Sequence, residues 1–307
     1  MSVSEKLIVV APVYEDCSAA TCLVRDLSRE FPGVIVILVD DGSVHQCIDE
    51  GVFQKTEVQG VVIRLNRNVG HQHAIAVGLN YAHERYPGYS VVVMDSDGED
   101  SPRSIHELLD RYRKQDCDVV VALRKSRVET WKFKVFYFFY RIVFKVLTGR
   151  RIGFGNFMLI SPSALTRLTT MNELWLHIAG CVLSSKLQIA FCKIDRAKRY
   201  DGVSKMNFSR LVLHAFKAMM VFAEDVFVRI GIACAVVITL LMVMISTVFV
   251  LKVIDMATPG WASTLIIAMS LMAIQVGIIA LLSLFVTLIA KSHVQVVDYK
   301  QYIKEVR

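Results

Sequence analysis

Val91-Val92-Val93-Met94-Asp95-Ser96-Asp97-Gly98-Glu99-Asp100 is the stretch around which the rest of the chain is organised. Four apolar residues that read as a buried strand run straight into four carboxylates, and charge at that density is costly unless a cation sits among it. Side chains two apart share a face of extended backbone, so Asp95, Asp97 and Glu99 can converge where the strand leaves its sheet. Oxygen-only ligands favour Mg2+ or Mn2+, ions that keep positions open for the oxygens of a phosphorylated substrate. The plainer alternative is a solvated acidic turn in which Asp100 or Ser101 caps the helix that Pro102 opens. Position favours the first: in an α/β chain, ligands bind at the carboxyl end of such a strand.

The neighbouring sequence has that α/β pattern. Lys6 to Ala11, Val34 to Val39, Val61 to Leu65, Ser90 to Met94 and Asp118 to Ala122 are short runs rich in valine and isoleucine. Between them, Ala19 to Phe31, Val44 to Phe53, Gln72 to Arg85 and Ser104 to Gln115 have helical spacing. Strands alternating with helices predict a mostly parallel, Rossmann-like sheet covered on both faces. After the first strand stands Pro12-Val13-Tyr14-Glu15-Asp16, where a dinucleotide-binding fold would place Gly-x-Gly-x-x-Gly, which argues against a nicotinamide or flavin enzyme. After the second come Asp40-Asp41-Gly42-Ser43, carboxylates able to accept from a nucleobase or ribose, with Ser43 also a candidate helix N-cap. After the third comes Arg67, a surface charge or a phosphate contact, and after the fifth Arg124-Lys125-Ser126-Arg127, cations suited to a pyrophosphate.

The 307-residue chain is too apolar for a single soluble domain, and the excess lies near its C-terminus. Ile230 to Leu251 and Leu265 to Ala290 carry no charged residue, and each exceeds the about 20 residues that cross a hydrocarbon core. Buried core helices are the alternative. Leu7 to Ala11 is too short for a signal peptide. Arg229 before the first span, with Lys291 and His293 after the second, places both termini and the α/β part in the cytoplasm, with the spans in the inner membrane. The seven cysteines show no Cys-x-x-Cys or zinc spacing and read as unpaired thiols. The net charge of +7 collects after Arg124, near the apolar segments, so anionic headgroups and substrate phosphates are expected partners rather than nucleic acid. Trp131 to Leu147 repeats Trp131, Val135, Phe138, Phe139, Ile142, Val143 and Val146 at helical spacing, which suits a helix lying in the membrane surface; Phe208 to Val226 resembles a second. Gln275 suits a helix–helix hydrogen bond, and Gly231 and Gly277 would permit the close contact of a homo-oligomer.

Pro12-Val13-Tyr14-Glu15, Val39-Asp40-Asp41-Gly42-Ser43, Arg67-Asn68-Val69-Gly70 and Asp95-Ser96-Asp97-Gly98-Glu99-Asp100-Ser101-Pro102 follow the order seen in family 2 glycosyltransferases. The set resembles the membrane-bound branch that includes dolichyl-phosphate mannose synthases and bacterial polyprenyl-phosphate glycosyltransferases. That resemblance implies a GT-A fold and a nucleotide-diphosphate sugar, with Asp41 near the base, Asp95 near the ribose and Asp97 on the metal. Pro12, Tyr14, Glu15 and Arg67 fall on the same donor side. Glu99 stands where the branch often has a glutamine near the metal. Arg199-Tyr200-Asp201-Gly202-Val203-Ser204-Lys205 matches the branch pattern Arg-x-x-Gly-x-Ser/Thr-Lys and implies that Arg199 and Lys205 contact phosphate. Gly155-Asn156-Phe157 occupies the region where some relatives have a Gly-Asp-Phe whose aspartate has been proposed as catalytic, and Asn156 cannot take a proton.

These residues divide the chain into a nucleotide-sugar core at 1–130, an acceptor and membrane-interface region at 131–228, a transmembrane hairpin at 229–291 and a tail at 292–307. A metal at Asp97 with cations at Arg124, Arg127 and Lys205 would stabilise the departing pyrophosphate. A sugar hydroxyl needs a general base, whereas a phosphate monoester with a second pKa near ~6 is already ionised at pH 7. Asn156 is therefore compatible with polyprenyl phosphate as acceptor. The alternatives are a hydroxyl acceptor served by Glu173, His177 or Asp201 as base, a membrane scaffold that binds nucleotide sugar without turnover, and, least supported, a transporter.

Overall fold

The computed structural model describes residues 6–48, 50–54, 56–124, 131–150, 153–195, 197–200, 208–256, 260–292 and 297–307. They divide into two compact units, one formed by 1–140, 152–221 and 296–307, the other by 141–151 and 222–295.

The first unit is built on an eight-stranded sheet. Its strands are β1 (Leu7–Val13), β2 (Ile35–Asp40), β3 (Gln59–Leu65), β4 (Ser90–Val93), β5 (Val119–Arg124), β6 (Met158–Ile160), β7 (Ile189–Ile194) and β8 (Ile303–Val306), in the spatial order β7-β5-β6-β4-β1-β2-β3-β8. β1 pairs in parallel with β2 and β4, β2 with β3, and β5 with β7, whereas β6 runs antiparallel between β4 and β5. The helices α1 (Cys17–Glu30), α2 (His71–Arg85), α3 (Ser104–Lys114), α5 (Pro162–Thr169) and α6 (Ile178–Ser184) cover it, and α4 (Trp131–Thr148) and α7 (Phe208–Met220) intervene in the chain order. Alternation along β1 shows why both faces must be covered. Ile8 and Val10 enter a core with Val77, Leu79, Leu165 and Ile178, while Val9 and Ala11 enter another with Leu23, Leu27, Ile105 and Leu108. Each such large side chain contributes on the order of 1.5–3 kcal/mol of burial.

Three local expectations are corrected. Val44 to Phe53 forms no α-helix among its described residues, only a 3-10 turn at Glu50–Val52. The N–H groups of Val44, His45 and Gln46 that would open a helix are instead spent on the Glu15 carboxylate at 2.7 to 3.2 Å. Ser43 is consequently not an N-cap; its Oγ accepts from the Glu15 N–H at 2.8 Å. Nor do Asp100 or Ser101 cap α3 with a side chain: Asp100 Oδ2 accepts from the Asp95 N–H at 3.1 Å and closes the acidic loop on itself.

β8, unforeseen in the sequence, brings the chain's last residues back to the sheet. It runs antiparallel to β3, with Arg307 and Val62 exchanging backbone hydrogen bonds at 2.8 and 2.9 Å. Glu305 thereby reaches Arg64, 2.7 Å away, whose guanidinium also lies 3.5 Å from buried Asp40 and donates to the Ile48 carbonyl. Tyr302 stacks on Trp175 with centroids 5.6 Å apart. The β3 edge is thus covered rather than open to other chains.

The helix α4 (Trp131–Thr148) carries Phe138, Phe139, Ile142, Val143 and Val146 exposed, five members of the stripe expected for a membrane-surface helix. The expected second such helix is α7 (Phe208–Met220); it ends six residues before Val226, with Leu213, Phe216 and Met220 exposed. In the second unit α8 (Ala223–Val253) and α9 (Trp261–Ser292) pack against each other. Ala223–Val253 and Trp261–Val286 each contain an 18-residue stretch, of mean hydropathy 2.8 and 2.6, long and apolar enough to cross a membrane, and little of either stretch is buried. Phe144 is buried in this unit against Phe222, edge to face.

Candidate active site at the carboxyl edge of the sheet

The functional candidates in the first half of the chain lie within or just beyond the carboxyl ends of strands of the parallel set. β1 leads to Tyr14 and Glu15, β2 to Asp41 and Gly42, β3 to Arg67, β4 to Asp95 and the acidic loop. Pro12 lies buried within β1, Tyr14 beyond it is exposed, and Arg67 is exposed.

Asp41 is buried, and both its oxygens accept from backbone, Oδ1 from Val69 N–H at 2.7 Å and Oδ2 from Gly70 N–H at 3.0 Å. This ties the end of β2 to the start of α2. Burial raises its pKa to about 6, although those two N–H groups oppose the shift. Gly42 makes the junction possible. Its φ is +69°, and a Cβ there would lie 2.4 Å from the Arg67 carbonyl carbon and 2.6 Å from the Asn68 nitrogen. Glu15, at φ 49°, holds the loop after Gly42 by its three N–H bonds, chiefly that from Val44, which lower its pKa.

The acidic loop is stapled to a distant segment. Ala197 N–H donates to the Glu99 carbonyl and Tyr200 N–H to the Asp97 carbonyl, each at 3.0 Å. The Tyr200 ring lies where any Cβ on Gly98 would be, 2.5 Å from its Cδ2, and the Tyr200 hydroxyl donates to Asp26 at 2.8 Å. Arg199 is thereby set across two carboxylates, 2.8 Å from Asp97 Oδ2 and 2.9 Å from Glu99 Oε1. The three predicted residues Asp97, Glu99 and Arg199 come together. Arg124 ends β5, while Arg127 and Lys205 lie outside the described residues.

Among the described residues no three His, Cys, Asp or Glu side chains form a ready metal cage. A Mg2+ or Mn2+ ion working on a diphosphate does not need one, because it takes one or two carboxylates and completes its shell with phosphate oxygens and water. Asp97 and Glu99 already share one cation, the Arg199 guanidinium, so the donor set and the local charge fit such an ion.

On the other side of Asp95 stands a group that sequence reasoning passed over. His71 Nε2 lies 3.3 Å from Asp95 Oδ1 and 2.9 Å from Asn156 Nδ2. Burial lowers the imidazole's pKa, but Asp95, Asp41 and Asp97 outweigh it and the net shift is upward. Gln72 Nε2 donates to Asn156 Oδ1 at 3.1 Å, and Gln72 Oε1 accepts from Ile178 N–H at 2.8 Å. Of the candidate bases, His177 is buried and caps α6 by accepting from Gly180 N–H, Glu173 lies in the 3-10 turn Asn172–Trp175, and Asp201 lies outside the described residues. His71 and Gln72 were visible only as the residues after Gly70; the signal that marks them is their place at the first turn of α2, on the carboxyl edge.

A mostly parallel sheet with an acidic loop at the carboxyl end of its fourth strand and an arginine across it has the GT-A type of α/β fold. Residues 9–175 match the model of glycosyl transferase family 2, and the chain belongs to that family. It is 27% identical over 281 residues to the uncharacterized glycosyltransferase sll0501 of Synechocystis sp., covering 88% of this chain and 86% of the relative. It is 27% identical over 236 residues to the uncharacterized glycosyltransferase YkoT of Bacillus subtilis, covering 75% and 68%. Its fold resembles the glucosyl-3-phosphoglycerate synthase of Mycobacterium tuberculosis, solved with Mn2+, UDP and glucosyl-3-phosphoglycerate, at TM-score 0.54 and 14% identity over 72% of this chain and 80% of that one.

Proposed function

We propose that this enzyme transfers one hexose, with inversion, from a UDP- or GDP-linked sugar to polyprenyl phosphate at the cytoplasmic face of the inner membrane. This places it in the membrane-bound branch of its family. The observation that carries the donor half is Arg199 spanning Asp97 and Glu99 beside Asp95 and Asp41. In this proposal Asp41, with Pro12, Tyr14, Glu15 and Arg67, receives the nucleoside and Asp95 the ribose. Asp97, with Asp95 and Glu99 around it, would hold a divalent ion, which when bound supplies positive charge to the diphosphate. Arg199, with Arg124, Arg127 and Lys205, would oppose the negative charge that builds on the departing nucleoside diphosphate. The solved neighbour carrying Mn2+ and UDP is in keeping with this chemistry.

The acceptor half is supported by α8 and α9, whose surfaces are largely exposed and apolar, and by the exposed stripe on α4. In water each would cost what burial normally gains, on the order of 25 cal/mol per Å2, so a bilayer is the medium that suits them. The chain enters this hairpin from the sheet unit and returns to the same sheet as β8, which suits both termini lying on one side of the membrane. Asn156 in place of a carboxylate suits an acceptor that arrives ionised.

Mass spectrometry of lipids after incubating the full-length protein with undecaprenyl phosphate and a pool of nucleotide sugars should reveal a hexosyl-phosphoryl lipid that mild acid cleaves. An acid-stable glycoside instead would favour the second reading, a hydroxyl acceptor. Donor binding with no product from any lipid acceptor would favour a scaffold and overturn transfer.

The pKa of Asp41 makes a further prediction. Its folded pKa of about 6 lies above the ordinary value of 3.8, so between these values the folded state binds a proton that the unfolded state does not. Lowering the pH through that window should therefore stabilise the fold through this group, while removing the carboxylate that accepts from a base. The donor KM is expected to climb as pH falls below about 6. In Asp41→Asn it should be high and flat across the same range, as initial-rate kinetics would show.

A further inference from the structure

Three charged side chains stand in one row across the edge of the sheet. The register pairs Asp40 of β2 with Arg64 of β3, and Arg64 with Glu305 of β8, and partners in register share a face. It is the face on which Leu38 and Val62 enter the core, so a fully buried carboxylate sits where each strand otherwise carries apolar side chains. Charge buried at Asp40 is costly without a counter-charge, and Arg64 supplies one from 3.5 Å.

That contact is too long to fix the guanidinium by itself, since neither Asp40 Oδ2 nor Arg64 Nε has a hydrogen-bond partner among the described residues. The other two nitrogens fix it. Nη1 donates to Glu305 Oε1 at 2.7 Å and Nη2 to the Ile48 carbonyl at 2.8 Å. Glu305 is held from its far side as well, Oε2 accepting from Arg307 at 2.9 Å. The carboxylate on β8 thus determines where positive charge stands against Asp40.

Both ends of the loop after β2 depend on this row. Asp40 Oδ1 accepts from Ser43 N–H at 2.9 Å and closes the turn that carries Asp41 and Gly42. The Ile48 carbonyl, bound by Arg64, ends the same loop, and Glu15 grips its middle at Val44, His45 and Gln46. β8 lies outside residues 9–175 that match the family model, so this hold reaches the loop from beyond the matched domain.

We propose that Glu305 and Arg64 are positioning residues for the donor: through Asp40 and the Ile48 carbonyl they set the loop 41–48 that presents Asp41, so nucleotide affinity depends on a strand that follows the apolar hairpin. The role rests on the reading of Asp41 as the nucleoside's partner, given above. Neither Glu305 nor Arg64 is required to touch the nucleotide.

The test is calorimetric titration of UDP, and separately GDP, with Mn2+ into the full-length protein in detergent. Hydrogen exchange of the amides of 43–46, read by mass spectrometry without nucleotide, runs beside it. Glu305→Ala should weaken the nucleotide about tenfold and raise the donor KM to match, with kcat within about twofold and faster exchange at 43–46. Glu305→Gln keeps an oxygen for Arg64 and should restore affinity to within about threefold of native. Arg64→Lys keeps the charge but cannot reach Asp40, Glu305 and Ile48 together. It should match Glu305→Ala, and the double variant should be no worse than either single one. Lys300→Ala is the control, because it removes another contact of the returning chain, with Glu84 at 2.7 Å, outside the row. Its affinity and exchange should stay native.

Unchanged affinity in folded Glu305→Ala overturns the inference, as does an equal loss in Lys300→Ala, which would make β8 only a cover for the edge. Should Glu305→Ala fail to fold, Arg64→Lys against Lys300→Ala decides. A native protein that binds neither nucleotide sinks the donor reading, and faster exchange in Glu305→Ala then still supports the hold on the loop. Nucleotide bound equally by native protein and Glu305→Ala sinks only this inference.

Discussion

Asp97→Ala should abolish measurable transfer, with kcat/KM falling by on the order of 10²–10³ or more, while the protein remains folded and in the membrane. Both oxygens of Asp97 are engaged in the acidic corner, Oδ2 meeting Arg199 at 2.8 Å and Oδ1 accepting from the Glu99 N–H at 3.0 Å. Alanine removes a charge from the proposed metal site and half of the arginine's support. The fold should feel little of this. Arg199 keeps Glu99, the Ala197 and Tyr200 backbone links do not involve the Asp97 side chain, and a partly exposed ion pair contributes no more than about 1 kcal/mol.

Two companion variants separate the roles. Asp97→Asn preserves shape and can still accept from Arg199, so if charge at a divalent ion is what matters, nearly the whole loss should persist. Glu99→Gln keeps an oxygen for Arg199 Nε and should cost far less than Glu99→Ala. Mn2+ binding followed by electron paramagnetic resonance supplies a readout independent of turnover: affinity in the presence of UDP should drop sharply in Asp97→Ala. Undiminished transfer in that variant would overturn the assignment of the corner.

What could be read from the chain alone follows from the range of the interactions concerned. The four-carboxylate loop, the strands before it and the apolar helices are set by neighbours in sequence, through the two-residue period of a strand and the length of a hydrophobic run. Arg199 and Asp97 could be named because each sits in its own motif, but nothing local says that Tyr200 lies on Gly98 or that its hydroxyl reaches Asp26. The same holds for β8. Ile303–Val306 is too short to announce itself, and its place is decided by Arg64 and Val62, some 240 residues earlier. The expected helix from Val44 failed for an equally non-local reason, since its first N–H groups answer to Glu15 on another loop. His71 and Gln72 needed the fold before they acquired partners, because Asn156 and Ile178 approach them across the sheet edge only in three dimensions.

Gly42→Ala should be among the most damaging single-methyl changes in the protein, at about 2–4 kcal/mol. Two costs combine there. Alanine disfavours the φ of +69°, and its Cβ would sit 2.4 Å from the Arg67 carbonyl carbon and 2.8 Å from the Arg67 Cα, which are main-chain atoms with no rotamer to change. Relief requires the loop after β3 to move away from the end of β2. That movement lengthens the Asp41 hydrogen bonds to Val69 and Gly70, and the nucleotide side of the site would open with it. Gly33→Ala is the control. Gly33 has a φ of +79° but no atom within 4 Å of its would-be Cβ, so that substitution carries the backbone cost without the overlap. Gly33→Ala should lower stability by about 1 kcal/mol and leave UDP affinity alone. Gly42→Ala should lower the thermal midpoint by on the order of 5–10 °C and weaken UDP at least about tenfold. If the two variants unfold at the same temperature and bind UDP equally, the contact between Gly42 and the Arg67 backbone is not what joins these loops, and the placement of Asp41 at the donor site falls with it.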